Sequence, residues 1–460
     1  MTELNVKIEE MVQRLLEERK YSTIKDIIST MAEGDLAALF ERLDEKQVPL
    51  LFRLIPRDTA ADVFVEMDSD FQELLIRGFS DSELKAIVND LYANEAADLV
   101  DEMPAIVVDR ILKQIDPATR KEINQLLQYP ENSAGSIMST EYVSLRPGMT
   151  VGEAIAKIRK SGFDNKSFYT CYVTQNKKLL GHLSVKDLLL AKDDSTLIDG
   201  LMKENVIKVN THEDKEEVAK LLSKYNFYAL PVVDSDNRIV GIISFDDALE
   251  VMEDEATEDI EIMGGMSPSE KTYLRSTPVD LFRHRILWLM LLMVSATFTG
   301  MIITGFESAL AAQVALTAFI PMLMDTGGNS GSQSSVTIIR ALSLEEVGFR
   351  DLPKVIWKEI RTALLCGATL SAVCFAKIML VDRLLLKNSG VTLPVAFVVC
   401  ATMAATVLLA KVIGCSLPLC AKKLRLDPAV MASPFITTIV DAASLLVYFS
   451  IARVALFNPA

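Results

Sequence analysis

Ser433-Pro-Phe-Ile-Thr-Thr-Ile-Val-Asp-Ala-Ala-Ser-Leu-Leu-Val-Tyr-Phe449 is an apolar run with one carboxylate, Asp441, near its centre. Its composition is that of a membrane-spanning helix, and an ionisable group at bilayer depth is costly enough to face water or a cation rather than lipid. The segment predicts a membrane domain with a cation pathway inside it.

Working outward, apolar segments at about residues 286–306, 311–337, 362–382, 393–416 and 429–456 give five expected spans, each near the ~20 residues that cross ~30 Å of hydrocarbon. Arg283 and Arg285, the stretch from Arg340 to Arg361, and Lys422, Lys423 and Arg425 fall on one side; the loops at Glu307 and Asp382–Gly390 fall on the other. This asymmetry, with an odd number of spans, predicts a cytoplasmic N-terminus and an outer C-terminus. Met1-Thr-Glu-Leu-Asn-Val-Lys-Ile-Glu-Glu10 has no basic, apolar and small-residue leader pattern, so the region before the spans is expected in the cytoplasm.

The second expected span contains Pro321-Met-Leu-Met-Asp-Thr-Gly-Gly-Asn-Ser-Gly-Ser-Gln-Ser-Ser335. Small residues let helices approach closely. The glycines, with Asn329 and Gln333, also offer carbonyl and amide oxygens, and irregular backbone at membrane depth occurs where protein or water covers it. Beside Asp441, this favours a hydrophilic pathway over packing alone. Oxygen donors suit a hard cation, and Mg2+ keeps several waters while touching one or two carboxylates. Two subunits about a two-fold axis would present two Asp441 side chains to one hydrated ion, with oxygen from Thr437 one turn earlier. His182, His212, His284 and the six cysteines form no soft-metal cluster, and the cysteines read as small buried residues.

Charge divides the chain. Residues 1–280 hold 53 acidic and 32 basic side chains, against 9 and 15 from Leu281 onward. An acidic soluble part precedes a mildly basic membrane part, and no nucleic-acid partner is expected. Residues 1–130 have helical spacing punctuated by Pro49, Pro56, Pro104 and Pro117, and Thr59-Ala-Ala-Asp-Val-Phe-Val-Glu-Met-Asp68 is echoed by Glu95-Ala-Ala-Asp-Leu-Val-Asp-Glu-Met-Pro104. Stacked helical hairpins are expected. Within 131–250, Leu180-Gly-His-Leu-Ser-Val-Lys-Asp187 matches Val240-Gly-Ile-Ile-Ser-Phe-Asp-Asp247; in each a strand ends at Ser and opens a helix whose acid completes a capping box. Phe245-Asp-Asp-Ala-Leu-Glu-Val-Met-Glu-Asp-Glu-Ala-Thr-Glu-Asp-Ile-Glu261 holds nine acids and no base. Asp246, Glu250, Asp254 and Glu258 form one helical stripe, which divalent cations could neutralise.

The doubled unit resembles a pair of cystathionine-β-synthase-type (CBS) domains. Such pairs often bind adenine nucleotides with the Ser-x-x-Asp carboxylate on the ribose, which makes Asp187 and Asp247 candidates. The whole order resembles the MgtE family of bacterial magnesium channels. The carriers are the Pro321–Gln333 stretch, Tyr129-Pro-Glu-Asn-Ser-Ala-Gly135, Glu255-Ala-Thr-Glu-Asp-Ile260, and Asp427-Pro428 with Asp441. The resemblance implies a multidomain membrane protein: an all-α N domain (1–130), α/β tandem CBS domains (131–250), an acidic plug helix (251–280) and five transmembrane helices (281–460). It implies a homodimer in the bacterial plasma membrane, with Asp441 as pore acid and Asn329 as a further pore residue. Its Mg2+-sensing ligands would be Glu95, Asp98, Asp214, Glu216, Asp247, Glu250, Glu255, Glu258 and Asp259, with ATP as a regulatory cofactor. Asn226 stands where the family suggests an acid, and Lys186 where it suggests arginine.

The expected function is therefore a Mg2+ channel closed by internal Mg2+, not an enzyme. There is no GxxxxGK[ST] motor, and an inside-negative potential supplies ~2.3 kcal/mol per charge per 100 mV, or ~4.6 for a divalent ion. The alternatives are an exchanger coupled to Na+ or H+, a broader divalent-cation transporter of Co2+, Ni2+ or Mn2+, and a membrane-anchored nucleotide sensor.

Overall fold

The computed structural model describes residues 3–57, 59–161, 167–269, 273, 276–388 and 390–457. Within the ranges used above, positions 1–2, 58, 162–166, 270–272, 274–275, 389 and 458–460 lie outside these. The chain divides into two compact units, Met1–Glu253 and Asp254–Ala460.

In the first unit, ten short helices run between Glu3 and Leu126 among the described residues. Proline sets several of their boundaries. Pro49 and Pro117 lie in the first turns of Val48–Phe52 and Pro117–Leu126, and Pro104 precedes Ala105–Gln114, positions where a missing N–H costs nothing. The apolar faces meet in one core that includes Phe40, Phe52, Phe64, Phe71 and Phe79, each side chain contributing ~1.5–3 kcal/mol on burial.

Two three-stranded sheets follow: β1 (Tyr142–Leu145), β2 (Ser167–Gln175) and β3 (Lys178–Ser184), then β4 (Val209–Asn210), β5 (Ala229–Val233) and β6 (Ile239–Ser244). Each pairs its first strand parallel and its last antiparallel to the middle one. The matched glycines mark where another segment crosses. A Cβ on Gly181 would lie 3.0 Å from the Lys203 carbonyl oxygen, and one on Gly241 2.7 Å from that of Ser139. Ser139 exchanges two backbone hydrogen bonds with Ile242, both 2.8 Å, and Lys203 does the same with His182 at 2.8 and 3.0 Å. Tyr129-Pro-Glu-Asn-Ser-Ala-Gly135 docks the helical part onto the second repeat: Ala134 N–H donates to Glu213 O and Gly135 N–H to Thr211 O. The Tyr129 ring covers Gly135, where a Cβ would meet it at 2.5 Å.

No break separates the second repeat from the acidic stretch. One 19-residue helix, Phe245–Met263, starts directly after β6, and the division between the units falls within it.

Among the described residues of the second unit, four helices are long and apolar enough to cross a membrane: Pro278–Gly305, Phe349–Leu385, Leu393–Lys423 and Pro428–Leu456. The expected span at 311–337 is redrawn. Glu307–Ala312 and a 3-10 turn at Val314–Phe319 come first, and a separate helix runs Ile320–Ser343. Pro321 in its first turn favours that start, and Tyr448 Oη donates to Leu316 O at 2.9 Å, fixing the preceding turn. At 24 residues this helix is ~36 Å long, sufficient to span but too polar to match the other four. Leu393–Lys423 is the central element, buried along one side by Ile320–Ser343, Phe349–Leu385 and the Ser433–Ala452 helix.

Candidate functional site

The helix Ile320–Ser343 runs unbroken through its glycines, so they serve close packing rather than an unwound backbone. Gly327, Gly328, Gly331, Ser334 and Ser335 are buried. A Cβ at Gly327 would meet Thr406 at 2.7 Å, one at Gly328 would meet Thr437 at 3.0 Å, and one at Gly331 would meet Ile436 at 2.8 Å.

The opposite side is polar. Asp325, Asn329 and Gln333, four residues apart on the helix, are exposed, and Asn329 Nδ2 donates to Asp325 Oδ1 at 3.1 Å. Lipid does not accept such a row, so it faces water, an ion path or another protein surface. Asp441, half-buried on Ser433–Ala452, lies within the electrostatic field of Asp325. Two carboxylates from different helices thus share one region, and an amide braces one of them. Thr437 Oγ1 donates to Pro434 O at 3.0 Å, which leaves its oxygen lone pairs as acceptors. Sequence reasoning selected Asp441, Thr437 and Asn329 but passed over Asp325. Its four-residue spacing from Asn329 and Gln333 was the available signal.

A second acidic group sits within the first unit, where helix Ala93–Glu102 meets the start of Phe245–Met263. Asp98 has a solvent-exposed face but is otherwise crowded by protein. That burial, followed by the fields of Glu250, Glu102, Asp247 and Glu95, pushes its carboxyl up to about 7. Asn94 Nδ2 donates to Asp247 Oδ1 at 3.4 Å, and Glu95 accepts from Tyr92 N–H at 3.0 Å. Three expected sensor residues, Glu95, Asp247 and Glu250, therefore act on a fourth, Asp98, and Glu102 at Asp98 and Asn94 at Asp247 join them unanticipated. Among the described residues, no three His, Cys, Asp or Glu side chains converge closely enough to hold a metal ion.

The other expected sensor residues stand elsewhere. Asp214 caps helix Lys215–Tyr225, accepting from the Glu216 and Glu217 amides at 2.9 and 3.3 Å, and Glu216 pairs with Lys220 at 2.6 Å. Glu255, Glu258 and Asp259 lie on the part of Phe245–Met263 assigned to the second unit.

Ser184 and Asp187 form the expected capping box, Ser244 donates to Asp247 at the matching position, and the two motifs differ in access. Asp187 Oδ2 accepts from Ser184 N–H and Oγ at 2.9 and 2.7 Å on a half-buried surface. Asp247 is 9% exposed; its Oδ2 accepts from Ser244 and its Oδ1 from Asn94. Beside the two motifs the exposed rings of Phe168, Tyr169 and Tyr228 form a ladder, with centroids 4.6 and 5.4 Å apart.

Comparison with known proteins fits this arrangement along its length. The profile of the MgtE divalent cation transporters matches residues 320–451, that of the MgtE intracellular N domain residues 31–132, and that of the CBS domain residues 134–194 and 198–254. Magnesium transporter MgtE of Thermus thermophilus is 35% identical, with 97% of this chain and 98% of the relative aligned. The chain belongs to the MgtE family. Magnesium transporter MgtE of Bacillus subtilis is 32% identical over 97% of this chain and 98% of its own length. Among solved structures, the cytosolic domain of the Mg2+ channel MgtE in complex with ATP is 33% identical. It covers 52% of this chain and 98% of its own, with a TM-score of 0.50. The soluble part of a magnesium transporter is 27% identical at a TM-score of 0.51, covering 55% and 99%. This MgtE-family chain is thus a multi-pass membrane protein with a helical N domain and a CBS pair. Its Asn226 closes helix Lys215–Tyr225 in the left-handed region, at φ 53°, a conformation asparagine tolerates better than most residues.

Proposed function

We propose that this protein is a Mg2+-selective channel that imports Mg2+ down its electrochemical gradient and closes when internal Mg2+ binds its cytoplasmic acids. The observation that carries the reading is the Asp325–Asn329–Gln333 stripe beside Asp441. Two carboxylates and amide oxygens, without imidazole or thiolate, suit a hard cation that retains part of its water shell. Five helices cross the plasma membrane, with the N-terminus cytoplasmic and the C-terminus outside. Two protomers meet so that the polar stripes line a shared path, with Asp441, Thr437 and Asn329 as its ion contacts.

The family relatives named as magnesium transporters support Mg2+ as substrate. Closure follows from charge. Glu95, Asp247 and Glu250 crowd Asp98 with like charge, which Mg2+ would neutralise, and Asp214, Glu216, Glu255, Glu258 and Asp259 are the further proposed Mg2+ ligands. An adenine nucleotide is proposed at Asp187, with its base on the exposed Tyr169–Tyr228 ladder; the ATP complex of the related cytosolic domain supports that assignment. Asp247, buried with both oxygens engaged, fits the sensor role better than a ribose contact.

The deciding experiment is patch-clamp recording from reconstituted protein with Mg2+ as the permeant cation while cytoplasmic-side Mg2+ is raised. Unitary currents that shut with rising Mg2+ and vanish in Asp441→Ala support a self-gated channel. Uptake that needs a Na+ or H+ gradient overturns it in favour of an exchanger.

A further inference from the structure

A second polar centre lies inside the membrane unit, away from the Asp325–Asp441 region, and the transport reading does not use it. Ser334 Oγ donates to Glu359 Oε2 at 2.6 Å and accepts from Lys411 Nζ at 3.3 Å, while Lys411 and Glu359 stand 4.0 Å apart. The Lys411 and Glu359 side chains are 7% and 15% exposed. Each group comes from a different helix: Ser334 from Ile320–Ser343, Glu359 from Phe349–Leu385 and Lys411 from Leu393–Lys423. A lysine this deeply buried in an apolar helix bundle is retained at a cost, and each charge depends on the other to offset its desolvation.

The surroundings give the centre a mechanical meaning. Next to Ser334, Ser335 Oγ donates to Met431 O at 2.6 Å, just ahead of the helix that carries Asp441. One turn before Ser334, Gly331 lies against Gly414, one turn beyond Lys411. Ile320–Ser343 is thus pinned on both sides along its second half, while its first half presents Asp325 and Asn329.

We propose that Lys411, Ser334 and Glu359 form an intramembrane latch that sets the position of Ile320–Ser343, and with it the spacing of Asp325 and Asn329 from Asp441. They are positioning residues for ion selection and do not touch the ion. This rests on the reading of Asp325 and Asp441 as the ion path.

The test compares Lys411→Met, Glu359→Gln, Ser334→Ala and the exchanged pair Lys411→Glu with Glu359→Lys in the reconstituted full chain. Bi-ionic reversal potentials give the Mg2+ to Ca2+ permeability ratio, and every value is scaled to folded protein. The single charge variants are expected to cut Mg2+ flux about tenfold and shift the ratio at least about threefold, with Ser334→Ala intermediate and the exchanged pair near the parent. A purely structural role would lower the yield of folded protein and leave the ratio of the remainder unchanged, which overturns the latch. If the charge variants do not fold, Ser334→Ala and the exchanged pair decide: a parental ratio in Ser334→Ala, or a lost ratio in a well-folded exchanged pair, overturns it.

Flux that survives in Asp441→Asn overturns the reading of Asp441 as part of the ion path instead. Spin labels at Val336 and Leu446, both exposed, then read the helix spacing without any flux. A changed distance in Lys411→Met or Ser334→Ala supports the latch, and an unchanged one overturns it.

Discussion

Gly331 and Gly414 meet backbone to backbone: a Cβ on Gly414 would lie 2.2 Å from the Gly331 carbonyl oxygen. No rotamer relieves such a clash, because both partners are main chain. Gly414→Ala is therefore expected to force the two helices apart, at a cost of about 1–3 kcal/mol or more, and to abolish Mg2+ flux. Gly300→Ala has no neighbour within 4 Å of its added methyl and should behave as the parent. Thermal denaturation of the detergent-solubilised protein, with flux in proteoliposomes, checks both.

Asp325 shares the field of Asp441 and should share its importance. Asp325→Asn keeps an amide that can still meet Asn329, so folding is expected to survive while Mg2+ flux falls at least about tenfold, since a carboxylate on a hydrated divalent ion has no neutral substitute. Parental flux in a well-folded Asp325→Asn protein would remove this residue from the path.

The raised Asp98 carboxyl gives a pH dependence with a defined sign. Its folded value of about 7 lies above the ~3.9 of a free aspartate, so the folded state binds a proton more tightly. The corresponding stability is present below about pH 4 and is lost as pH rises through 7. Without divalent cations, the first unit should thus melt at a lower temperature at pH 8 than at pH 6. Mg2+ should narrow the gap by taking the proton's place, and Asp98→Asn should flatten it. Melting curves at the two pH values, with and without Mg2+, decide the matter.

Much of this was legible in the sequence, and the gaps have physical causes. The CBS repeats could be read because their marks are local: a glycine where a segment crosses, and a serine whose acid three residues on closes the cap. Asp441 could be read because charge in an apolar run is conspicuous within one segment. The start at Ile320 could not, because residues 311–319 are as apolar as a span and are turned aside by Tyr448, a residue far along the chain. Asp325 drew no attention because its charged neighbour sits on another helix. Asp214, a metal ligand by resemblance, also caps helix Lys215–Tyr225, a local role that its position before the helix makes legible.

Tyr129-Pro-Glu-Asn-Ser-Ala-Gly135, a family mark in the sequence, is in the structure the seam between the helical part and the second repeat. Gly135→Val places side-chain atoms against the Tyr129 ring and Thr211 O, which should loosen the helical part from the second CBS repeat at a cost of about 1–3 kcal/mol. Limited proteolysis in Mg2+ should then cut near residue 130 in the variant while sparing the parent; equal protection would show that the seam does not depend on this glycine.

The crossings at Gly181 and Gly241 are reciprocal: Ser139, from the head of the first repeat, pairs on the second sheet, and Lys203, from the head of the second, pairs on the first. Neither repeat completes its own sheet. A chain cut between them would leave each half with a bare edge that its counterpart's leading segment fits. Each repeat therefore borrows from the other the segment that borders its last strand, so the two are bound to fold as one piece.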